Sequence, residues 1–148
     1  MKKVYSLLLL PVIALSFMNC SKNSSSPTTS RSYKMYNYSS GSAVEAGSLT
    51  LDETSDGNAS ISVSLSNHYL APGKVFKSYL ILRDSVLGVE VTYATLSDID
   101  GATGVSTTAP LINSSTNVAI KYDEIVSDKR YSVKVYNSNT VQAIGKID

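Results

Sequence analysis

The feature that most limits how this chain can fold is an apolar pattern of period two rather than 3.6. In "NASISVSLS" Ala59, Ile61, Val63 and Leu65 fall on one side and Ser60, Ser62 and Ser64 on the other. "LGVEVTY" sets Leu87, Val89, Val91 and Tyr93 against Glu90 and Thr92, and "NVAIKYDE" aligns Val118, Ile120 and Tyr122. "RYSVKVYN" places Tyr131, Val133 and Val135 inward, with Ser132, Lys134 and Tyr136 outward. Successive strand side chains point to opposite faces, so this alternation marks strands with one face on a core and one in water. "SLTLDE" is a shorter case, with Leu49 and Leu51 inward, and the Asp56–Gly57 pair after it is a hairpin signal. "YLILR" (Tyr79–Arg83) is continuously apolar and reads as a central strand covered on both faces, entered by a turn at Pro72–Gly73. "VQAIGKID" is a last strand, "APLINSSTN" a loop, and "YDEIVSDKR" a solvated connection anchored by Ile125.

Strands this short and numerous, with Gly, Asn, Asp and Ser at the turns, predict an all-β fold: an antiparallel β-sandwich or Greek-key barrel of about seven to eight strands. The predicted inward set includes Ile61, Val63, Leu65, Ile81, Val89, Val91, Ile120, Val133 and Val135. Tryptophan is absent, and tyrosine, with ten copies, supplies most of the aromatic volume. A tyrosine ring fills core space while its hydroxyl reaches water or a polar partner.

The chain opens "MKKVYSLLLLPVIALSFMNC". Lys2 and Lys3 precede an apolar run from Val4 to Met18, the plan of a secretory signal peptide over residues 1–19. The run is short for a spanning helix, which needs about 20 residues. Cys20, the single cysteine, closes the run and resembles the processing site of a bacterial lipoprotein, where the cysteine becomes the first residue and carries the lipid. Phe17, Met18 and Asn19 depart from the usual aliphatic-then-small pattern before it. Residues 20–30, rich in Ser, Thr and Asn, read as a lipid-anchored flexible linker, and residues 31–148 as one domain. Loss of Lys2 and Lys3 leaves eleven basic residues against twelve acidic ones, scattered rather than blocked. A balance near neutrality gives no steering toward nucleic acid.

The segment "YATLSDIDGATGVSTT" (Tyr93–Thr108) is the most chemically suggestive. Asp98 and Asp100 could offer hard oxygens to calcium, but the twelve-residue calcium loop and its closing glutamate are missing. The simpler reading is a turn in which Asp100 bonds to backbone N–H groups and Gly101 and Gly104 adopt φ values closed to other residues. His68 is the only histidine, in a loop before Pro72–Gly73. A hydrolase would have only this imidazole for a triad, and a zinc or copper site wants more than one His or Cys. No catalytic residue, metal or cofactor is therefore expected.

The residues from Leu96 onward resemble a known family. "LSDIDGATGVSTT" followed by "VAIKYDEIVSDKRYSVKVYNSNTVQAIGKID" is similar to the CHRD (chordin-type) domain, found also in bacterial secreted proteins and lipoproteins. Asp100, Gly101, Ala102, Thr103 and Gly104 match its turn; Tyr131, Val133, Val135 and Ala143–Gly145 match its closing strands. The resemblance covers residues 96–148 and implies a β-domain of undefined biochemical role. Bacterial members often carry two histidines around an aliphatic residue on the central strand, and Tyr79–Arg83 has none. The closing pattern is also similar to the copper/zinc superoxide dismutase barrel, whose metals need several histidines.

The expected function is that of a non-enzymatic, lipid-anchored extracytoplasmic domain in a bacterial cell envelope, structural or adhesive. Ser21 after the cysteine points to the outer membrane rather than the inner. The expected partners are the membrane, through the N-terminal lipid, and a cell-envelope protein or glycan. The competing class is a small-ligand or carbohydrate-binding module, with Tyr36, Tyr69 and Tyr136 as candidate exposed rings.

Overall fold

The computed structural model describes residues 29–148. The expected signal peptide, Cys20 and residues 20–28 of the expected linker lie outside the described residues. The elements are β1 (Ser30–Asn37), β2 (Val44–Glu53), β3 (Ala59–Leu65), β4 (Val75–Arg83), β5 (Glu90–Thr95), β6 (Ile99–Asp100), β7 (Val105–Thr108), α1 (Tyr122–Val126), β8 (Tyr131–Asn137) and β9 (Thr140–Lys146). The fold is all-β and antiparallel, as the patterning predicts. Eight strands lie on one continuous path, β5-β4-β8-β9-β1-β2-β3-β7, with β6 paired to β4 beside it. The sheet begins just inside the expected linker: β1 starts at Ser30, and the Glu53 N–H donates to the Thr29 carbonyl at 2.8 Å.

The sheet curls over a core filled from its inner face. Ala59, Ile61, Val63 and Leu65 of β3, Leu49 and Leu51 of β2, and Tyr131, Val133 and Val135 of β8 are all buried, in the predicted alternation. Phe76, Ile99 and Leu111 are among the fully buried side chains that complete this core. Within "YLILR", Leu80 and Ile81 are both buried on opposite sides of β4, so the continuous apolar run is covered on both faces there. On the outer face of the other half, Ser32, Thr50, Ser62 and Thr107 stand in register across β1, β2, β3 and β7. Ser32 and Thr50 hydroxyls are 3.1 Å apart, and Ser62 and Thr107 hydroxyls 2.9 Å. Such cross-strand hydroxyl pairs let a sheet meet water while still gaining from side-chain contact.

Two segments depart from the alternation. Val89 and Val91 were expected inside but are 53% and 48% exposed, and Leu87 is 78% exposed. A bulge between Leu80 and Ile81 gives β5 one extra residue, Tyr93, so Ala94 faces the core opposite Leu80. The remainder of β5 runs along the edge of the sheet, past the end of the core. The second departure is "NVAIKYDE". Val118 is exposed, Ala119 and Lys121 make isolated bridges to Ile112 and Asn58, and Tyr122 opens α1. Ile120, Tyr122 and Ile125 are buried there, Ile125 as the expected anchor, and the segment plugs the open side of the curl.

Strand direction defines two ends. β1 and β8 run the same way, because each is antiparallel to β9, and β4 runs opposite to β8. The turn between β4 and β5 therefore lies at the same end as Ser30. The opposite end is closed by two interlocked turns. Gly101 N–H donates to the Lys74 carbonyl at 2.9 Å, and Ala71 N–H to the Gly101 carbonyl at 2.8 Å.

Candidate functional site

The outer face of β1, β9, β8 and β4 gathers the aromatic and basic side chains. Pairing places Glu45, Tyr36, Ile144, Lys134, Tyr79 and Thr95 in one row across six strands. The next row sets Tyr136 beside Lys77. The arrangement follows from alternation: Tyr79 and Lys77 share a face two residues apart, as do Lys134 and Tyr136. Tyr36, Tyr79 and Tyr136 are half-buried, while Tyr38, just beyond β1, is exposed. The Tyr79 and Tyr136 rings meet nearly edge-on, with centroids 5.8 Å apart at 69°. Tyr36 and Tyr38 are 6.5 Å apart and tilted by 50°.

Ion pairs fix the lysines among these rings. Lys34 bonds to Glu45 at 2.7 Å, and that hydrogen bond raises the lysine's pKa above its ordinary value. Lys134 pairs with Glu90, and its side chain is the most covered cation among the ion pairs of the described residues. Two shallow depressions of about 390 Å³ each adjoin the rows. One lies between Tyr36, Tyr38, Ile144 and Lys146. The other is lined by Arg83, Lys129, Arg130, Lys134 and Lys146, with Glu90 its acidic member. Ile144 and Lys146 border both, so they form one surface.

Of the three tyrosines singled out from sequence, Tyr36 and Tyr136 belong to this face, separated by β9. Tyr69 does not. It sits in a 3₁₀ turn at the far end, packed against the core, with the exposed His68 ring edge-on to it at 5.2 Å. The sequence does not mark Tyr79 as a candidate, because it opens "YLILR", which reads as wholly buried. Its signal was the alternation with Lys77, one strand position earlier on the same side.

Asp98 and Asp100 each engage a partner of their own. Asp98 reaches Lys77 at 2.6 Å, while Asp100 Oδ1 accepts the Ala102 N–H at 2.9 Å. Among the described residues, no group of three or more His, Cys, Asp or Glu side chains stands close enough to hold a metal ion. Gly104 has the expected positive φ of 70°. Gly101 does not, and its requirement is space: a Cβ there would lie 2.2 Å from the Ala71 carbonyl oxygen and 2.7 Å from that of Lys74. The segment is thus the lock of the far end of the sheet. Scans of protein-family models, of curated proteins and of solved structures each return no match to this chain.

Proposed function

We propose that this chain is a non-enzymatic, lipid-anchored domain of a bacterial cell envelope that works by contact, in a structural or adhesive role, through the outer face of its sheet. The observation that carries the reading is the in-register row Tyr36–Ile144–Lys134–Tyr79, with Tyr136 and Lys77 beside it. Aromatic rings supply contact area at small cost in side-chain entropy, and interleaved cations supply direction. Three carboxylates on or near this face hold lysines, Glu45 on Lys34, Asp98 on Lys77 and Glu90 on Lys134, and Asp148 borders the depression beside Tyr36. The leader, Cys20 and the polar linker support the anchor, and the resemblance of residues 96–148 to CHRD domains supports an envelope setting. Ser21 favours the outer membrane.

A small-ligand or carbohydrate-binding module is the second reading, favoured by the depression between Tyr36, Tyr38 and Lys146. It stands second because the ring pairs are tilted by 50° and 69°, where two coplanar rings would cradle a sugar.

Cys20→Ser is expected to move the protein from the membrane fraction to soluble protein or unprocessed precursor, since durable attachment takes more than one acyl chain. The mass of the N-terminal peptide is the check. An unmodified Cys20 in mature, membrane-extracted protein ends the anchor reading. For the contact face, the parent protein should be retained on isolated envelope material, and Tyr36→Ala combined with Tyr79→Ala should lower retention by about tenfold or more. Equal retention of the two, with unchanged melting, overturns the assignment of this face.

A further inference from the structure

The turn between β4 and β5 exposes apolar side chains that the contact face does not explain. Val86 is 88% exposed and Leu87 78%, and Val89 and Val91 continue the apolar surface into the edge strand. Contiguous exposed apolar residues on a small domain mark a place where water is displaced by a partner. This tip is also a built structure. Asp84 Oδ1 accepts the N–H groups of Val86 at 2.8 Å and Leu87 at 2.6 Å. Asp84 N–H donates to the Val89 carbonyl at 2.8 Å, and Gly88, with φ of 66°, donates back to the Asp84 carbonyl at 3.1 Å. The Leu87 N–H first, and then that of Val86, hold the Asp84 carboxyl below the usual carboxylate range. The backbone groups are satisfied from within, which leaves the two side chains pointing outward.

Cations surround the base of the tip. Arg83, Arg130 and Lys129 lie there, with Lys134 and Lys146 further along the same groove. The acids facing them are Asp84, Asp128, which pairs with Arg130 at 2.6 Å, and Glu90, which pairs with Lys134. Arg83 and Lys129 form no ion pair among the described residues. An apolar point with two unpaired cations, Arg83 and Lys129, at its base complements a phospholipid surface, where acyl chains lie beneath anionic headgroups. Long Arg and Lys side chains suit this position, because the stem lies along apolar surface while the charge stays at the headgroups. The tip is at the same end of the sheet as Ser30, where the chain enters. Ser30 is the tenth residue after Cys20, a span of at most about 35 Å.

We propose that the Asp84–Val89 tip docks on the bilayer: Val86 and Leu87 enter the leaflet that carries the N-terminal lipid, and Arg83 and Lys129 contact its anionic headgroups. The choice of leaflet rests on the anchor reading above. Docking fixes which way the tethered domain faces, and keeps the far end, with Tyr69 and the interlocked turns, away from the membrane.

The chain has no tryptophan, so Leu87→Trp reports on the tip alone and Val105→Trp, 52% exposed at the far end, serves as control. Each full-length lipidated variant is placed in vesicles of phosphatidylcholine and phosphatidylglycerol with brominated acyl chains. The expected result is blue-shifted emission and several-fold stronger quenching at position 87 than at 105. Arg83→Gln with Lys129→Gln should abolish that difference while the melting curve stays unchanged. Equal quenching at the two positions, in protein whose N-terminal peptide carries lipid, overturns docking and leaves the anchor standing. Quenching at 87 that persists in the unlipidated Cys20→Ser protein supports docking by the tip itself, independent of the anchor. A shift at 87 that follows protein concentration and ignores vesicles would assign the tip to a second copy of the chain and overturn the proposal.

Discussion

Gly101→Val is expected to destabilise the domain by about 3 kcal/mol or more, and to prevent folding in the cell if the margin is small. The new Cβ would lie 2.2 Å from the Ala71 carbonyl oxygen and 2.7 Å from the Lys74 oxygen. Both are backbone atoms, so no rotamer change relieves the collision. The Lys74 carbonyl accepts the Gly101 N–H, and the Ala71 carbonyl accepts the Lys74 N–H within its own turn, while the Ala71 N–H donates to the Gly101 carbonyl. Relief therefore means separating the turns that close one end of the sheet. Asp100→Asn, one residue earlier on an exposed side chain, is expected to stay within about 0.5 kcal/mol, because the amide oxygen can still accept the Ala102 N–H. Urea melts of the two variants measure the contrast. Equal and small effects would show that the turns are not locked as described.

Phe76→Ala is expected to cost about 3–5 kcal/mol, a fall in melting temperature on the order of 10–20 °C for a domain of this size. Phe76 is 1% exposed, on β4 opposite Ile99 of β6, where the crossing segment is held to the sheet. The described domain has no second phenylalanine to fill the space. The cavity would lie beneath the interlocked turns, so β6 should lose amide-exchange protection before β1 and β2 do. A loss below about 1 kcal/mol would mean that the site collapses around the void.

Much of the architecture was readable without coordinates, and for one reason. On β2, β3 and β8 the strands lie over the core, so their alternating apolar residues are buried, with Ser60 the buried exception on the other face of β3. Leu49, Leu51, Ile61, Val63, Leu65, Val133 and Val135 are buried as that rule requires. The rule fails where its premise fails. Val89 and Val91 alternate correctly, yet they lie in and just before an edge strand that outruns the core, and no local pattern tells a strand where the core ends. The bulge at Leu80/Ile81 then adds Ala94 to the inward side next to Tyr93, which still packs against the core, a shift set by pairing with β4. "NVAIKYDE" carries strand alternation but finds no neighbouring edge to extend, and gives two isolated bridges and a helical turn.

The candidate surfaces divide in the same way. The tyrosines and the apolar "SVLGV" stretch are plain in the sequence, as is the turn chemistry of Asp56–Gly57 and Pro72–Gly73. Their grouping is not, because it depends on strand order. Tyr36, Ile144, Lys134 and Tyr79 come together only through the path β1-β9-β8-β4, which joins residues more than a hundred positions apart. Gly101 shows the difference at a single residue. Composition predicts a glycine in a turn, and the usual reason is a positive φ. The actual reason is the approach of a second turn some thirty residues earlier in the chain, and only tertiary packing supplies that neighbour.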